Sequence, residues 1–524
     1  MPVAVTTIRS TRDLSECAPR LGLGVVVVCL ASFFLSFTAL CCAINPVTGR
    51  REVILMSEDK EKEIDAEAAK QVAEQIGLVE APELHAYVTA IGEKMASYSP
   101  RKGIEYSFNV VEMAEPNAFA LPGGHIYVSR GLLVAVNSEA ELANVIGHEI
   151  GHVAARHAAQ RDARAKTVGL LTLLGVVAAA ASGATDVAVG LGQFGGLAGA
   201  GLIAAYGRDQ EREADQIGQD LAAQAGVDPA GMADFLRTLD KLTRLHSGAS
   251  RLPSFFDNHP STPERVAETA TRAQVLRWTP AFAIAGTRAA YLKRLEGIAV
   301  EEPAAEGVIR DDRFLHAALD FSLRFPHGWT VENQHARVIA VSPRRDALVL
   351  LELQGEGEDP QVAAQAYAEE NKFRLLSGSP IRIGNLAAFR ARTLIQSPGG
   401  PTAAEVTWVA HGGRIFRLSG GTVRIRFQKY EGVFRSFARS FRPLQAGELE
   451  KIDELRLRVA VAREGEGLAE LSRRTGNEWG LNQTAVMNGL VSSDTLREGQ
   501  LVKIALRERY RPAPEAGADP PRDQ

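Results

Sequence analysis

The stretch NVIGHEIGHVAARH, residues 144–157, constrains the fold more than any other part of the sequence. Its composition predicts one continuous helix over residues 138–164. His148 and His152 are four residues apart, so a helix carries both imidazoles on one face, close enough to share a small ion. Glu149 then lies within reach of a water on that ion. The pattern H-E-x-x-H is a zinc protease signature, whereas an ordinary amphipathic helix with surface histidines is the alternative.

A catalytic zinc ion usually takes three protein ligands and keeps a fourth position for water. The downstream segment RDQEREADQIG, residues 208–218, offers three carboxylates on one predicted helix. Glu211 and Asp215 share a face of that helix, and Glu213 faces elsewhere. We therefore assign Glu211 as the third ligand and expect Asp215 to orient a ligand histidine by accepting its free N–H. Without the histidine pair, such an acidic cluster would be read as a solvated helix face.

Together the segments HEIGH and EREAD resemble the family of zinc metallopeptidases that includes HtpX, the CAAX prenyl proteases and BepA. Three more stretches agree with this family: NAFALPGGHIYVSRGLL (117–133), DNHPSTPERV (257–266) and CAINPVTGRRE (42–52). The resemblance covers residues 42–272. It implies one zinc ion per chain, held by His148, His152 and Glu211 in a mainly helical gluzincin-type domain with a small sheet.

The resemblance implies peptide hydrolysis, and the residues support the same chemistry. Zinc lowers the pKa of the water that it binds. Glu149 takes the proton of that water and passes it to the leaving amine. A second donor stabilises the charge on the carbonyl oxygen, and the candidates are His259, Arg265 and Tyr206. In exported members of this family the histidine of the His-Pro segment lies near the metal. His259 is therefore either a donor to the carbonyl oxygen or a fourth ligand that displaces water and keeps the enzyme latent. The remaining alternative is a loop histidine without a role.

The segment GHIYVS, residues 124–129, alternates like a strand, as does YSFNVVEM, residues 106–113. We expect an extended substrate to add to the edge of the first of these strands by backbone pairing. This mode suits poorly folded proteins, because it requires an exposed strand and little side-chain specificity. The residues expected to contact substrate are Gly124, His125, Ile126, Tyr127 and Val128. Because neither has partner spacing, His125 and His157 are otherwise expected to be structural.

The first 42 residues read as an export signal. Arg9, Arg12 and Arg20 precede an uncharged run over residues 21–43. All four cysteines lie in this region, so the remaining chain has neither a disulfide framework nor a cysteine metal site. Cleavage, an uncleaved anchor and lipidation of a cysteine are the alternatives, and the segment TALCCAINP favours lipidation. We therefore predict a periplasmic, membrane-associated lipoprotein of a Gram-negative envelope.

Between the two metal-binding segments, residues 167–207 carry a single charge, Asp186, and are dense in glycine and alanine. One interpretation is a transmembrane hairpin. The other is a pair of soluble helices that cover the site. We favour the soluble helices, because so many glycines weaken an isolated helix.

We predict a multidomain α+β protein. A metallopeptidase domain over residues 43–300 is followed by a linker, residues 301–312, because EEPAAEG is rich in Pro, Glu and Ala. Short strands and two helices then predict a separate α+β domain over residues 313–445, and its opening LDFSLRFPHGWTVEN resembles domains of the PsbP kind. The proline-containing tail, residues 506–524, is expected to be disordered.

Residues 455–505 resemble a LysM domain, a small βααβ module that binds peptidoglycan. The match is carried by Asn488, Gly489, Leu490, Gly499 and Gln500. Glu466 and Gly467 depart from the usual Asp-Ser or Asp-Thr, so a module without a glycan ligand is the alternative.

The sequence thus predicts a zinc endopeptidase that acts on misfolded or unassembled envelope proteins. The net charge of −4, without a long basic run, gives no reason to expect nucleic acid as a partner. Three rivals are a chaperone-like factor with a capped zinc site, an integral-membrane protease, and a wall-binding protein with an accessory peptidase half.

Overall fold

The computed structural model describes residues 42–166, 206–246, 255, 259, 262–281, 283–310, 312–397 and 400–510. The predicted export signal up to residue 41, the glycine-rich segment 167–205 and the tail from residue 511 lie outside the described residues. Within the described ranges the chain is an α+β protein with several sheets. No helix in those ranges is both long and apolar enough to span a membrane.

The N-terminal part is mainly helical. Ser57 caps its first long helix, since its side chain accepts a hydrogen bond from the backbone N–H of Lys60. The elements up to residue 295 are β1 (Cys42–Ile44), β2 (Arg51–Val53), α1 (Glu58–Gln75), α2 (Pro82–Ala96), β3 (Ser107–Val111), β4 (Ala118–Ala120), β5 (His125–Ser129), α3 (Arg130–Ala135), α4 (Glu139–Ala154), α5 (Arg208–Gln224), α6 (Gly231–His246), α7 (Pro263–Val275) and α8 (Arg288–Leu295).

The small sheet has the order β3-β5-β4. β5 pairs in parallel with β3 and antiparallel with β4, so both of its edges are occupied. The prediction that Gly124, His125, Ile126, Tyr127 and Val128 offer an edge to substrate is therefore wrong. Among the described strands, β4 is the one that lies against α4 and has an unpaired edge.

The predicted continuous helix over residues 138–164 is broken. α4 ends at Ala154, a turn covers Ala155 and Arg156, and helical structure resumes over residues 157–166. Arg156 has φ 58°, in the left-handed region that residues other than glycine rarely adopt. The Arg156 guanidinium is held by Glu61 of α1 and by the Met56 carbonyl, which stabilises the turn.

The α4 helix packs closely against α5 because both helices have glycine at their contact. A Cβ on Gly218 would lie 2.8 Å from the backbone nitrogen of His148. A Cβ on Gly147 would lie 3.0 Å from the carbonyl oxygen of Gly218. Only glycine therefore permits this approach, which sets the two histidines predicted to bind metal against the acidic helix α5.

The following part of the chain is built on a seven-stranded antiparallel sheet of order β12-β13-β14-β15-β11-β10-β9. The helix α9 (Pro360–Glu370) covers one face and α10 (Phe427–Arg439) the other, where Phe434 and Phe437 contribute to the apolar core. A smaller sheet has the order β16-β8-β7-β6. The strands are β6 (Val308–Arg310), β7 (Arg313–His316), β8 (Phe321–Leu323), β9 (Thr330–Gln334), β10 (Arg337–Val341), β11 (Ala347–Glu356), β12 (Leu375–Ile383), β13 (Leu386–Ser397), β14 (Gly400–His411), β15 (Arg414–Val423) and β16 (Arg442–Pro443).

The last unit has the order β17 (Asp453–Val461), α11 (Leu468–Thr475), α12 (Leu481–Met487) and β18 (Leu501–Arg509), and the two strands pair antiparallel. The final strand extends to Arg509, past the expected end at residue 505. Backbone hydrogen bonds also join β17 to residues 297–300, and β6 lies inside the stretch expected to be a linker.

This last unit packs on the peptidase part and shares its core. Leu455, Leu457 and Trp479 belong to the same apolar cluster as the buried residues of α4. The fully buried Lys503 donates from Nζ to the carbonyl oxygens of Val134 and Val136, at 2.6 and 3.0 Å, at the end of α3. The unit is thus an integral part of the peptidase fold.

We predict that Lys503→Met will lower the Tm of the peptidase part by roughly 5–10 °C, because it leaves buried carbonyl oxygens without a donor. Thermal unfolding followed by circular dichroism measures the shift. Lys293→Met, which removes an exposed lysine of α8, is the matched control and should shift the Tm by less than about 2 °C. Equal Tm values for the two variants would show that Lys503 does not hold the unit in place.

Candidate active site

Four buried side chains converge where α4, α5 and the segment before α7 meet. His148, His152, Glu211 and His259 each place one ligand atom within 4.8 Å of all the others. The His148 Nε2 lies 3.0 Å from the His152 Nε2 and 3.2 Å from the His259 Nδ1. The Glu211 Oε1 lies 3.0 Å from the His259 Nδ1 and 3.5 Å from the His152 Nε2. The three residues predicted as ligands are thus brought together, and His259 joins them.

The spacing of these atoms fits a small tetrahedral ion. Zinc–nitrogen distances of about 2.0–2.1 Å place two ligands of a tetrahedron about 3.3–3.4 Å apart. The four distances just given span this value. Imidazole nitrogens and carboxylate oxygens are also ligands that zinc commonly takes. The residues present therefore fit the predicted metal.

Glu149 points its carboxylate into the same space. It is fully buried, and among the described residues no side chain donates a hydrogen bond to either of its oxygens, although an interaction with the Ala120 backbone lowers its pKa. The Oε1 lies 3.6 Å from the Nε2 of His259. Burial raises the pKa of this carboxyl, and the positive charges of His259 and His148 oppose the rise. A buried carboxylate without donors is costly unless a ligand, water or cation meets it.

Asp215 and Arg265 hold the ligands in place. The Asp215 Oδ1 lies 2.9 Å from the Nδ1 of His148, so the Nε2 of that ring is free to face the cluster. The guanidinium of Arg265 donates to both oxygens of Asp215 at 2.8 Å and lies 2.8 Å from Glu211. Burial would raise the pKa of Asp215, but the charge of Arg265 outweighs it and lowers the pKa. Arg265 was expected as an oxyanion donor; these contacts make it a positioning residue instead.

His157 orients His152 in the same way, which the sequence did not suggest. The Nδ1 atoms of the two rings are 2.8 Å apart, and the Nε2 of His157 lies 3.5 Å from Glu213. Asn45, from the turn between β1 and β2, donates to the other oxygen of Glu213 at 3.1 Å. The turn at residues 155–156, with its positive φ at Arg156, interrupts the helix between the two histidines and allows this contact. Burial lowers the pKa of His152 well below its usual value, as a metal ligand requires.

Two aromatic residues frame the site. The ring of Phe255 stacks on His259 with centroids 4.3 Å apart, and the His259 N–H donates to the Phe255 carbonyl at 2.7 Å. The ring of Tyr206 stacks on His152 at 3.9 Å. Burial raises the pKa of Tyr206 to about 12, so its hydroxyl stays protonated at neutral pH and is able to donate.

β4 presents its free edge beside this cluster. Asn117 and Leu121 make their backbone hydrogen bonds toward β5, to Ser129 and His125. By alternation, Ala118 and Ala120 direct their N–H and C=O groups away from β5. An interaction with the backbone of Ala120 lowers the pKa of Glu149, which places this edge next to the catalytic carboxyl.

Comparison with known proteins agrees with this geometry. The model of the family described as Peptidase family M48 matches residues 82–273. The mitochondrial metalloendopeptidase OMA1 of Schizosaccharomyces pombe is 31% identical over 241 residues, which cover 45% of this chain and 68% of that protein. The beta-barrel assembly-enhancing protease of Yersinia pestis is 29% identical over 238 residues, covering 45% of this chain and 48% of the relative. The Escherichia coli O157:H7 protein of the same name is 31% identical over 40% of this chain and 42% of its own length.

The matched region thus spans about two thirds of the OMA1 protein but less than half of the assembly-enhancing proteases. Among solved structures, cyanobacterial PsbP from Synechocystis matches 26% of this chain and 96% of its own at 10% identity, with a TM-score of 0.22. A score that low supports no assignment for the α+β part of the chain.

We predict that His157→Phe will weaken zinc binding about 10- to 100-fold, because His152 then loses the partner that fixes its ring. Titration against a chelator of known affinity measures the change. His125→Phe is the matched control, since His125 belongs to the same part of the chain but bonds Asp65, which is not one of the clustered residues. Unchanged zinc affinity in His157→Phe would contradict the orienting role.

Proposed function

The chain belongs to peptidase family M48, and we propose that it is a zinc-dependent endopeptidase acting on misfolded or unassembled proteins of the cell envelope. The observation that carries the proposal is the buried set of His148, His152 and Glu211, beside which lies Glu149 without a side-chain donor among the described residues. Structural zinc sites use four protein ligands and need no buried base. A carboxylate without side-chain donors next to the ligands therefore favours catalysis.

The residues divide the work of hydrolysis between them. A bound zinc ion supplies a Lewis acid that lowers the pKa of water. Glu149 accepts the proton of the attacking water and returns it to the leaving amine, and its burial favours the protonated intermediate form. Tyr206, protonated at neutral pH, is the candidate donor to the carbonyl oxygen as negative charge develops there. Asp215 and His157 keep the ligand rings from rotating.

An extended polypeptide is the substrate that suits the β4 edge. Ala118 and the carbonyl of Ala120 offer backbone groups to a partner strand, while the Ala120 N–H faces Glu149. This recognition reads main chain more than side chains. Folded proteins rarely expose an unpaired strand, whereas misfolded or unassembled proteins do. The name of the beta-barrel assembly-enhancing proteases is consistent with substrates of this kind.

The remaining assignments extend the same proposal. We place the protein in the periplasm of a Gram-negative envelope, tethered to a membrane by a lipid or an N-terminal anchor. Residues 455–505 remain a candidate for peptidoglycan contact. The side chain of Asn488 already makes hydrogen bonds within the fold, since it accepts from Arg288 at 2.8 Å and donates to the Lys503 carbonyl at 2.9 Å. Glycan contact would therefore use other residues of that unit.

We predict that the chain from residue 45 to 524 cleaves an unfolded protein and that Glu149→Gln lowers the rate by about 10²- to 10⁴-fold, because the amide accepts no proton. Gel analysis of a reduced, carboxymethylated substrate measures the rate, and zinc content by mass spectrometry checks that both proteins are loaded. Equal cleavage by the two proteins would rule out this site as its source.

A second candidate function is a chaperone-like factor with a capped zinc site. It is favoured by the place of His259, whose Nδ1 lies among the ligand atoms at 3.0–3.2 Å from its neighbours. A fourth protein ligand leaves no open position for water. The described arrangement therefore suits a latent enzyme, in which His259 must move before hydrolysis begins.

We predict that His259→Ala raises the rate of cleavage about 10-fold or more over the unchanged chain, because it removes the cap and increases the competent fraction. The same gel assay measures the change, with zinc content determined in parallel. Slower cleavage by a zinc-loaded His259→Ala protein would instead identify His259 as a donor to the reacting oxygen. Suppressed aggregation of a client by Glu149→Gln, without cleavage, would support the chaperone-like role.

A further inference from the structure

A cavity of about 220 Å³ lies at the start of β4, between the peptidase part and the α+β part of the chain. One wall is formed by residues just before and within β4, including Asn117. The opposite wall is formed by the segment after α8 and by the end of β9, including Glu302 and Asn333. We call this cavity the acidic cleft.

Carboxylates dominate the charge of the acidic cleft. Glu112, Glu302, Glu306 and Glu332 line it, and no lysine or arginine is among its lining residues. Three of these carboxylates already have partners. Glu112 accepts from Arg130 at 2.9 Å, Glu306 lies 2.8 Å from the Nδ1 of His335, and Glu332 accepts from the Nε2 of Gln334 at 2.6 Å. Glu302 and Glu332 keep exposed surface at the cleft. Partial burial and the neighbouring carboxylates raise the pKa of Glu302 to about 7, so a bound cation would favour its ionised form. Glu302 and Glu332 are the groups able to meet a cation that enters.

Both walls also carry amide oxygens that lack donors. Asn117 is only 2% exposed, and its Oδ1 has no hydrogen-bond partner among the described residues. The Oδ1 of Asn333 is likewise without a partner, although its Nδ2 donates to the Glu306 carbonyl at 3.0 Å. A buried acceptor left without a donor is unfavourable. Carboxylates and unsatisfied acceptors together call for a ligand that is both cationic and rich in N–H donors.

The acidic cleft continues the substrate edge. Asn117 directly precedes β4, whose free backbone groups at Ala118 and Ala120 lead to Glu149. At about 3.4 Å per residue, the cleft lies on the order of 10 Å from the catalytic carboxyl along the strand. A chain paired with β4 would carry a side chain into the cleft about three residues from the bond being cleaved.

We propose that the acidic cleft is a specificity subsite that binds a lysine or arginine side chain of the extended substrate. The inference rests on the proposed endopeptidase function and names a preference within it. A side-chain ammonium or guanidinium fits better than a free divalent ion, because calcium requires six to eight oxygen ligands and three of the four carboxylates already have partners. Substrate selection would then combine main-chain pairing at β4 with one charged contact supplied by the α+β part of the chain.

The test uses the full chain and a series of ten-residue peptides that differ only in the position of one lysine, each matched by a glutamine peptide. Mass spectrometry gives kcat/KM for each peptide. We expect lysine to raise kcat/KM about 5- to 10-fold at a single position about three residues from the cleaved bond. The preference should shrink at high ionic strength, because the contact is electrostatic.

Glu302→Gln/Glu332→Gln removes the two cleft carboxylates that have no cationic partner and should bring the lysine-to-glutamine ratio close to one. Glu83→Gln/Glu93→Gln removes two exposed carboxylates of α2 outside the cleft and should keep the ratio. A flat lysine profile, or a preference that survives in the first double variant, would overturn the subsite. Loss of the preference in millimolar calcium, without loss in sodium chloride of equal ionic strength, would reassign the cleft to a metal ion.

Measurements of peptide binding distinguish failure of the endopeptidase proposal from failure of the subsite proposal. If no peptide is cleaved, fluorescence anisotropy measures binding of the same labelled peptides to the full-length Glu149→Gln chain. Tighter binding of the lysine peptide, abolished by Glu302→Gln/Glu332→Gln, would support the subsite without hydrolysis. Equal binding of lysine and glutamine peptides would refute it.

Discussion

The close approach of α4 and α5 is the constraint on which the rest of the site depends. A Cβ on Gly218 would lie 2.8 Å from the His148 nitrogen, so a larger residue there would push the two helices apart. Zinc ligands must converge to within a few tenths of an ångström. Glycine at the contact therefore fixes the distance between the two histidines on one helix and Glu211 on the other. Gly147 and Gly218 allow the two helices to share one binding centre, although alanine would have stabilised each helix more.

The close packing of α4 and α5 buries several carboxylates, and most of them are neutralised by a neighbouring arginine. Glu149, Glu211 and Asp215 are each at most 2% exposed, and buried carboxylates are unfavourable unless paired. Arg265 neutralises the last two from α7. Among the described residues Glu149 has no arginine or lysine partner, and its nearest cationic group is the His259 ring at 3.6 Å. Glu149 is thus the carboxylate left able to accept a proton, whereas Arg265 holds Glu211 and Asp215 in position.

The sequence predicts the parts of this arrangement that depend on short spacings. A period of 3.6 residues was enough to place His148 and His152 on one face of α4. The role of His157 was missed, because a turn at a non-glycine residue with φ 58° leaves no local signal. Strand order was missed for a similar reason: the alternation of GHIYVS marks a strand but not whether it lies at an edge or in the centre. Lys503 contacts residues more than 360 positions away, which no spacing predicts.

The C-terminal half changes what the peptidase part is able to recognise. β17 pairs with residues 297–300, and Lys503 anchors β18 to the end of α3, so the chain returns to the peptidase part after the α+β part. Both ends of the α+β part are thereby held, which fixes β9 opposite β4. A peptidase edge alone reads backbone and selects little. With Glu302 and the end of β9 held opposite it, the β4 edge is able to select a side chain of the substrate as well. This selectivity follows from the return of the C-terminal unit to the peptidase part, because that return holds the α+β part in place.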